Sequence, residues 1–199
     1  MSKELDAAKE LVRLLEEREK ANKFQLSTLN PGSTFKIGEY DFIVLEHEQG
    51  QTMVISKCFM AKNKKFDEDT RNYGKSSLKK LIESNIQPII EDAVGADNLV
   101  EHEVDLTSVD MQNEFGFFRC KVRPITFDEA RRYNDLLVNN DLDDWWWTCT
   151  PWSTKERGWD YSIAVVSSSG YVYRNICRSY NGVRPFCILK SNIFVSRGE

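Results

Sequence analysis

The sequence predicts an α+β fold, a mixed and mainly antiparallel sheet preceded by an amphipathic helix. Two observations carry that expectation. Helical periodicity of apolar residues is confined to residues 2–22, 76–93 and a stretch near 130, whereas strand-like runs dominate after residue 145. The helices and strands also lack the regular alternation that a parallel sheet requires. At 199 residues the chain fits one domain with a short appendage. The expected division is 1–30 for the N-terminal helix and linker, and 31–199 for the domain.

Residues 2–22 are rich in Glu, Lys, Leu and Ala, all good helix formers. Leu5, Ala8, Val12 and Leu15 form a seam that stops at Glu19 and Asn22. Two heptads are short for a coiled coil. Packing against the chain's own domain is therefore set slightly ahead of association with a second copy. Asn30-Pro31-Gly32-Ser33 closes this lead-in with turn chemistry.

Thr34–Ile37 and Tyr40–Leu45 read as strands joined by Gly38-Glu39, and Gln49-Gly50 leads into a strand at Thr52–Ser56. Over residues 76–93, Leu78, Leu81, Ile82, Ile86, Ile89 and Ile90 recur at helical spacing, with Ser76 or Ser77 as cap. Pro88 should kink or split that helix, and Gly95 should end it. Thr126-Phe127-Asp128-Glu129 is a capping box opening a helix to about Val138. Strands are expected at 145–149, 162–167, 171–175 and 183–189.

Composition narrows the class. A hydrophobic content of 41% and charged content of 29% describe an ordinary globular protein. A net charge of −4 with no dense basic cluster argues against nucleic acid as partner, since that partner needs a basic face. No apolar run approaches a membrane span. The charged N-terminus predicts no signal peptide, hence a cytoplasmic protein. Cys58, Cys120, Cys149, Cys177 and Cys187 are odd in number and form no C-x-x-C, so reduced and mostly buried thiols are expected.

Catalytic and metal signals are sparse. Glu46-His47-Glu48 and Glu101-His102-Glu103 would place each His on one strand face and its carboxylates on the other, which suits a solvated strand better than a metal site. Asp141, Asp143 and Asp144 read as a solvated turn rather than a calcium loop. Arg184 lies in an apolar strand and must find a partner if buried; Asp128 and Glu129 are candidates. Of Trp145, Trp146 and Trp147, at least one indole should enter the core. No cofactor and no metal are expected, and no catalytic residue stands out.

The segment between the tryptophans and the closing strand has a different character. Trp152, Trp159 and Tyr161, then Tyr171, Tyr173, Arg174, Asn175, Ile176, Arg178, Tyr180 and Asn181, have the composition of a binding surface. Tyr, Ser, Gly and Asn with Trp and Arg anchors give rigid, amphipathic contacts. These residues are the expected ligand-binding set, and a protein is the expected ligand. The competing reading folds the aromatics back onto the sheet.

The ends of this segment carry a resemblance. Trp146-Trp147-Thr148-Cys149-Thr150-Pro151 resembles the W-W-L-R-S-P stretch of a bacterial and phage domain family of unassigned function, DUF6273. Gly182-Val183-Arg184-Pro185-Phe186-Cys187-Ile188-Leu189 resembles its closing G-V-R-P-A-L-W-L. Cys149 stands where the family has Arg. The family is similar to the C-type-lectin-like fold of formylglycine-generating enzymes and of variable proteins made by diversity-generating retroelements. The resemblance implies a lectin-like domain over roughly residues 35–195, of phage or mobile-element origin. It further implies that the aromatic segment is where a retroelement would diversify the surface. Two other functions remain open: a phage accessory protein inhibiting a host factor, and an enzyme derived from the formylglycine-generating fold. The enzyme would place a cysteine pair at Cys177 and Cys187; a structural role for both is favoured.

Overall fold

A computed structural model describes residue 5 and residues 8–14 and 23–198. Residues 8–14 are helical (α1), but the seam is not covered: Leu5 is 47% and Val12 54% exposed. Packing of this helix on its own domain, as the seam suggested, is thus absent at Leu5, Ala8 and Val12. Leu15, Glu19 and Asn22 lie outside the described residues.

The chain then forms β1 (Lys23–Gln25), β2 (Thr34–Ile37), β3 (Tyr40–Glu48), β4 (Gln51–Ser56) and β5 (Ala61–Lys64). The turns predicted between these strands are present. Ile37 pairs with Tyr40 across Gly38, and Glu48 with Gln51 across Gln49 and Gly50, whose φ values of 49° and 76° suit a tight hairpin.

The predicted helix appears in three pieces: α2 (Ser77–Leu81), a π-helical turn (Ile82–Ile86) and α3 (Gln87–Val94). Ser76 is the cap, its hydroxyl accepting from the Lys79 amide. The π turn is the local answer to Pro88. Pro88 has no N–H to give, and the Gln87 amide reaches back five residues to the Ile82 carbonyl instead. Leu78, Ile82, Ile86 and Ile90 are buried, but Ile89 is exposed.

β6 (Leu99–Val100), β7 (His102–Asp105), β8 (Phe117–Cys120) and β9 (Val122–Pro124) follow. The capping box at Thr126 and Glu129 opens α4 (Phe127–Arg132), which breaks at Tyr133 before α5 (Asn134–Leu137). The rest is strand: β10 (Trp146–Pro151), β11 (Ser162–Val166), β12 (Val172–Ile176), β13 (Asn181–Val183), β14 (Pro185–Lys190) and β15 (Phe194–Arg197). The fold is therefore α+β with mainly antiparallel sheets.

The larger sheet runs β1-β15-β2-β3-β4-β14-β6, with β9 also on β14. It takes in Lys23–Gln25, ahead of the boundary read at residue 31. The second sheet runs β12-β11-β10-β13-β5, and its β10–β13 pair is parallel. β7 and β8 form a separate hairpin.

The central strands of both large sheets are buried on both faces. Along β3, Phe42 and Val44 join one apolar cluster while Ile43 and Leu45 join the other. Along β10, Trp147 enters the first cluster and Trp146 the second, and both are fully buried. Two covered faces explain why adjacent tryptophans can both be core, where a sheet with one wet face would bury only one. Gly182 of the closing motif is required by packing: a Cβ there would stand 2.5 Å from the Phe59 ring.

Candidate functional site

The aromatic segment surrounds β12, an edge strand of the second sheet. β12 pairs with β11 in a regular register from Val166↔Val172 to Ser162↔Ile176. The turn before β12 is closed by Gly170, whose N–H reaches the Ser167 carbonyl. The loop after it is held by Ser179 N–H to the Ile176 carbonyl. These main-chain ties fix the side chains on an ordered frame.

Four rings run in sequence across this surface. Trp145 meets Tyr171 edge-on at 6.1 Å, Tyr171 stacks on Tyr173 at 6.3 Å, and Tyr173 meets Trp152 at 6.2 Å. Such offset and edge contacts hold rings rigid while leaving faces open. Tyr171 is 62%, Tyr173 48% and Tyr180 59% exposed, against 0% for Trp146 and Trp147. Aromatics folded back into the core, the competing reading, would have buried them.

Cations lie on the remaining rings. The Arg174 guanidinium sits 3.8 Å from the Trp159 ring centre, Arg178 lies 5.1 Å from that of Tyr161, and Lys65 5.3 Å from that of Tyr180. Neither Arg174 nor Arg178 has a carboxylate within ion-pair distance among the described residues. Stacking orients these guanidinium groups without neutralising them.

The structure therefore brings together Trp152, Trp159, Tyr161, Tyr171, Tyr173, Arg174, Ile176, Arg178 and Tyr180 around one strand. Trp152, Arg174 and Asn175 are half-buried. Asn181 is a correction: it is buried at 1% exposure, because β13 lies inside the sheet, and its Oδ1 accepts from Asn175. Two contributors were missed. Trp145 heads the ring series, and the period-2 offset from Trp147 could have shown that it shares that residue's face. Lys65 comes from a distant loop and leaves no local signal.

A hollow beside this face, at Gln112, Glu114, Thr154 and Lys155, holds about 340 Å³, at the low end of the range of small-molecule pockets. Another, at Asp69, Arg71, Glu114 and Tyr161, holds about 220 Å³, below the roughly 300–1,000 Å³ of such pockets.

The other polar cluster is saturated. Arg123, 3% exposed at its side chain, donates to both Glu129 oxygens at 2.7 and 2.6 Å and to His102 Nε2 at 3.0 Å. His102 Nδ1 faces the Val100 carbonyl at 3.3 Å, so it carries the ring proton. Burial, and then the Arg123 charge, push His102 down to about 4. Burial pushes Glu129 up, but the Arg123 charge and its hydrogen bonds outweigh this and hold it below the usual carboxylate range. His47 is also tied in, between Thr52 Oγ1 and the Leu29 carbonyl. Both histidines, expected on solvated faces, are half-buried structural groups.

Arg184 is fully buried, but neither Asp128 nor Glu129 is its partner. It donates to the carbonyls of Ser56 and Leu137 and lies over Trp146 at 4.8 Å. Glu129 is occupied by Arg123, which explains the difference. Asp143 pairs with Lys62, and Asp144 accepts from the Trp145 amide, as suits a turn.

All five cysteines are free, and only Cys58 is exposed. Burial pushes the thiols of Cys120 and Cys149 up to about 11 and 12, and those of Cys177 and Cys187 upward too. Cys149, standing where the resembled family has Arg, is core.

No family model matches the chain, nor does any curated protein or solved structure. Among the described residues no helix is long and apolar enough to cross a membrane.

Proposed function

We propose that this chain is a non-enzymatic binding domain that recognises a protein ligand through the surface around β12. One observation carries the reading: exposed, stacked tyrosines stand beside ring-mounted, unneutralised arginines on a sheet whose interior is packed. Exposed aromatics and arginines are the side chains that most often dominate binding energy. The packed sheet supplies rigidity, so little ordering cost falls on association.

The frame is read as C-type-lectin-like, of phage or mobile-element origin. What supports this is the resemblance of residues 146–151 and 182–189 to the two family motifs, and the position of the exposed segment between them. On the same grounds, residues 171–181 are the positions that a retroelement would diversify. A reverse-transcriptase gene beside this one, with a near-copy of the 3′ end, is the expected genomic context. Its absence removes the variable-protein reading and leaves the binding surface standing.

The binding test is cross-linking capture from the native host, followed by reconstitution with the purified captured protein. Tyr171→Ala with Tyr173→Ala should abolish the reconstituted complex, whereas Ile89→Ala, exposed and remote, should preserve it. A complex that survives the paired tyrosine change removes this surface as the binding face.

A further inference from the structure

The backbone of β12 adds a second kind of recognition element to this face. Tyr171 and Cys177 bond toward β11: the Ser167 N–H meets the Tyr171 carbonyl at 2.9 Å, and the Cys177 N–H meets the Tyr161 carbonyl at 2.7 Å. Strand periodicity and the register then turn Tyr173 and Asn175 the same way. Val172, Arg174 and Ile176 consequently direct their main chain outward. Ile176 is satisfied there, since its N–H donates to Asn175 Oδ1 and its carbonyl accepts from Ser179. Val172 and Arg174 are not. Their outward N–H and C=O groups have no partner among the described residues. Such an edge is a template for an added strand.

The charge around that edge selects the occupant. Residues 152–181 hold four cations, Lys155, Arg157, Arg174 and Arg178, against two anions, Glu156 and Asp160, in a chain whose net charge is −4. Arg157 is spent on Asp110, and Asp69 and Glu114 lie beside Tyr161, so the unpaired positive charge at the edge is that of Arg174 and Arg178. Arg174 and Arg178, both without a carboxylate, flank the unpaired main chain. Tyr171 and Tyr173 project from the same strand and would line the added strand's side chains.

We infer that the protein ligand docks as an extended, Glu/Asp-rich segment that pairs with the outer edge of β12. Main-chain bonds to Val172 and Arg174 hold it, its carboxylates meet Arg174 and Arg178, and the tyrosines read its other side chains. This rests on the binding surface proposed above and specifies its ligand.

The experiment uses the whole chain and defined peptides, followed by amide NMR and titration. The probes are a peptide alternating Glu with Thr and Val, its Lys-for-Glu twin, and two acidic copies N-methylated at one or the other set of alternate residues. The acidic peptide should bind about tenfold or more tighter than the Lys twin, and only one methylated copy should retain binding. Val172 and Arg174 amides should gain exchange protection. Arg174→Glu with Arg178→Glu should reverse the charge preference; Arg174→Gln with Arg178→Gln should abolish it if the reversal harms folding. Equal binding of both charge types overturns the inference, as does failure of the acidic peptide to bind. Equal binding of both methylated copies, with loss in Tyr171→Ala/Tyr173→Ala, sinks strand addition but keeps the aromatic face. Binding that ignores those tyrosines sinks both. Concentration-dependent protection without peptide makes a second copy the occupant and also overturns it.

Discussion

Glu129→Ala should be among the most damaging single changes to the scaffold, and the structure gives its size. Glu129 accepts two charge-assisted bonds from Arg123, at 2.7 and 2.6 Å, and one from the Thr126 amide at 2.8 Å. Truncation leaves the nearly inaccessible Arg123 cation without a carboxylate, held by the Pro124 carbonyl, His102 and the Phe186 ring. An uncompensated buried charge costs about 3–5 kcal/mol, and losing half of a capping box about 1 kcal/mol more. We expect about 4–6 kcal/mol, comparable to the whole stability of many domains. Arg123→Met combined with Glu129→Gln should recover most of this. Gln retains the bond to the Thr126 amide, and Met covers the Phe186 ring that the guanidinium now overlies at 4.2 Å. The assay is urea denaturation followed by circular dichroism; a single variant already unfolded without urea agrees with the estimate. A loss below about 1 kcal/mol, or a double variant as unstable as the single, refutes the reasoning.

Acid should weaken the same network. His102 titrates at about 4 when folded, against 6.5 for the free side chain, so between these values only the unfolded chain takes the proton. Its contribution is complete above pH ~6.5 and is lost as pH falls toward ~4, by about 1–3 kcal/mol once partial exposure is allowed for. His102→Gln should flatten that part of the pH–stability curve, and an unchanged slope counts against the assignment. Scaffold and surface should separate in an alanine scan read by thermal melt. Tyr173→Ala and Tyr180→Ala should stay within about 0.5 kcal/mol, and Trp146→Ala should cost about 3–5 kcal/mol; similar losses at all three would make the tyrosines core. A maleimide should label Cys58 in the native protein and the other four cysteines only after unfolding, a pattern that rapid native labelling of Cys149 would contradict. Deleting residues 1–22 should leave the domain's melt unchanged, because Leu5, Leu11, Val12 and Leu14 are exposed. A lower melting temperature would show that the segment buries something; a smaller mass by light scattering would show self-association.

What was legible in the sequence was local. The Ser76 cap, the capping box at Thr126 and the glycine turns each depend on residues a few positions apart, and each appears in place. Pro88 announced a break, but the form of it, a π turn with Gln87 reaching Ile82, depends on how the helix packs. Partners far apart in sequence were not legible. Arg184 finds carbonyls 128 and 47 residues away, and no local pattern distinguishes Ser56 from the carboxylates considered first. The histidines failed for the same reason. Their flanking glutamates suggested water, while their actual neighbours, Arg123 and Leu29, come from other segments. Composition located the exposed face, but which of its residues point outward required the register of β12 on β11.

That register also links the scaffold to the function proposed here. β11 is buried throughout and is flanked by the fully buried β10, so β12 is held on one side by a rigid neighbour and left open on the other. Alternate residues of one short strand therefore have opposite duties. Tyr173 and Asn175 spend their main chain on the sheet, whereas that of Val172 and Arg174 faces outward, unpaired among the described residues. The side chains can then change with little effect on folding, because the bonds that hold the strand are not theirs. The diversified surface proposed above would need this division, and it is the property that the alanine scan and the peptide titration measure from opposite sides.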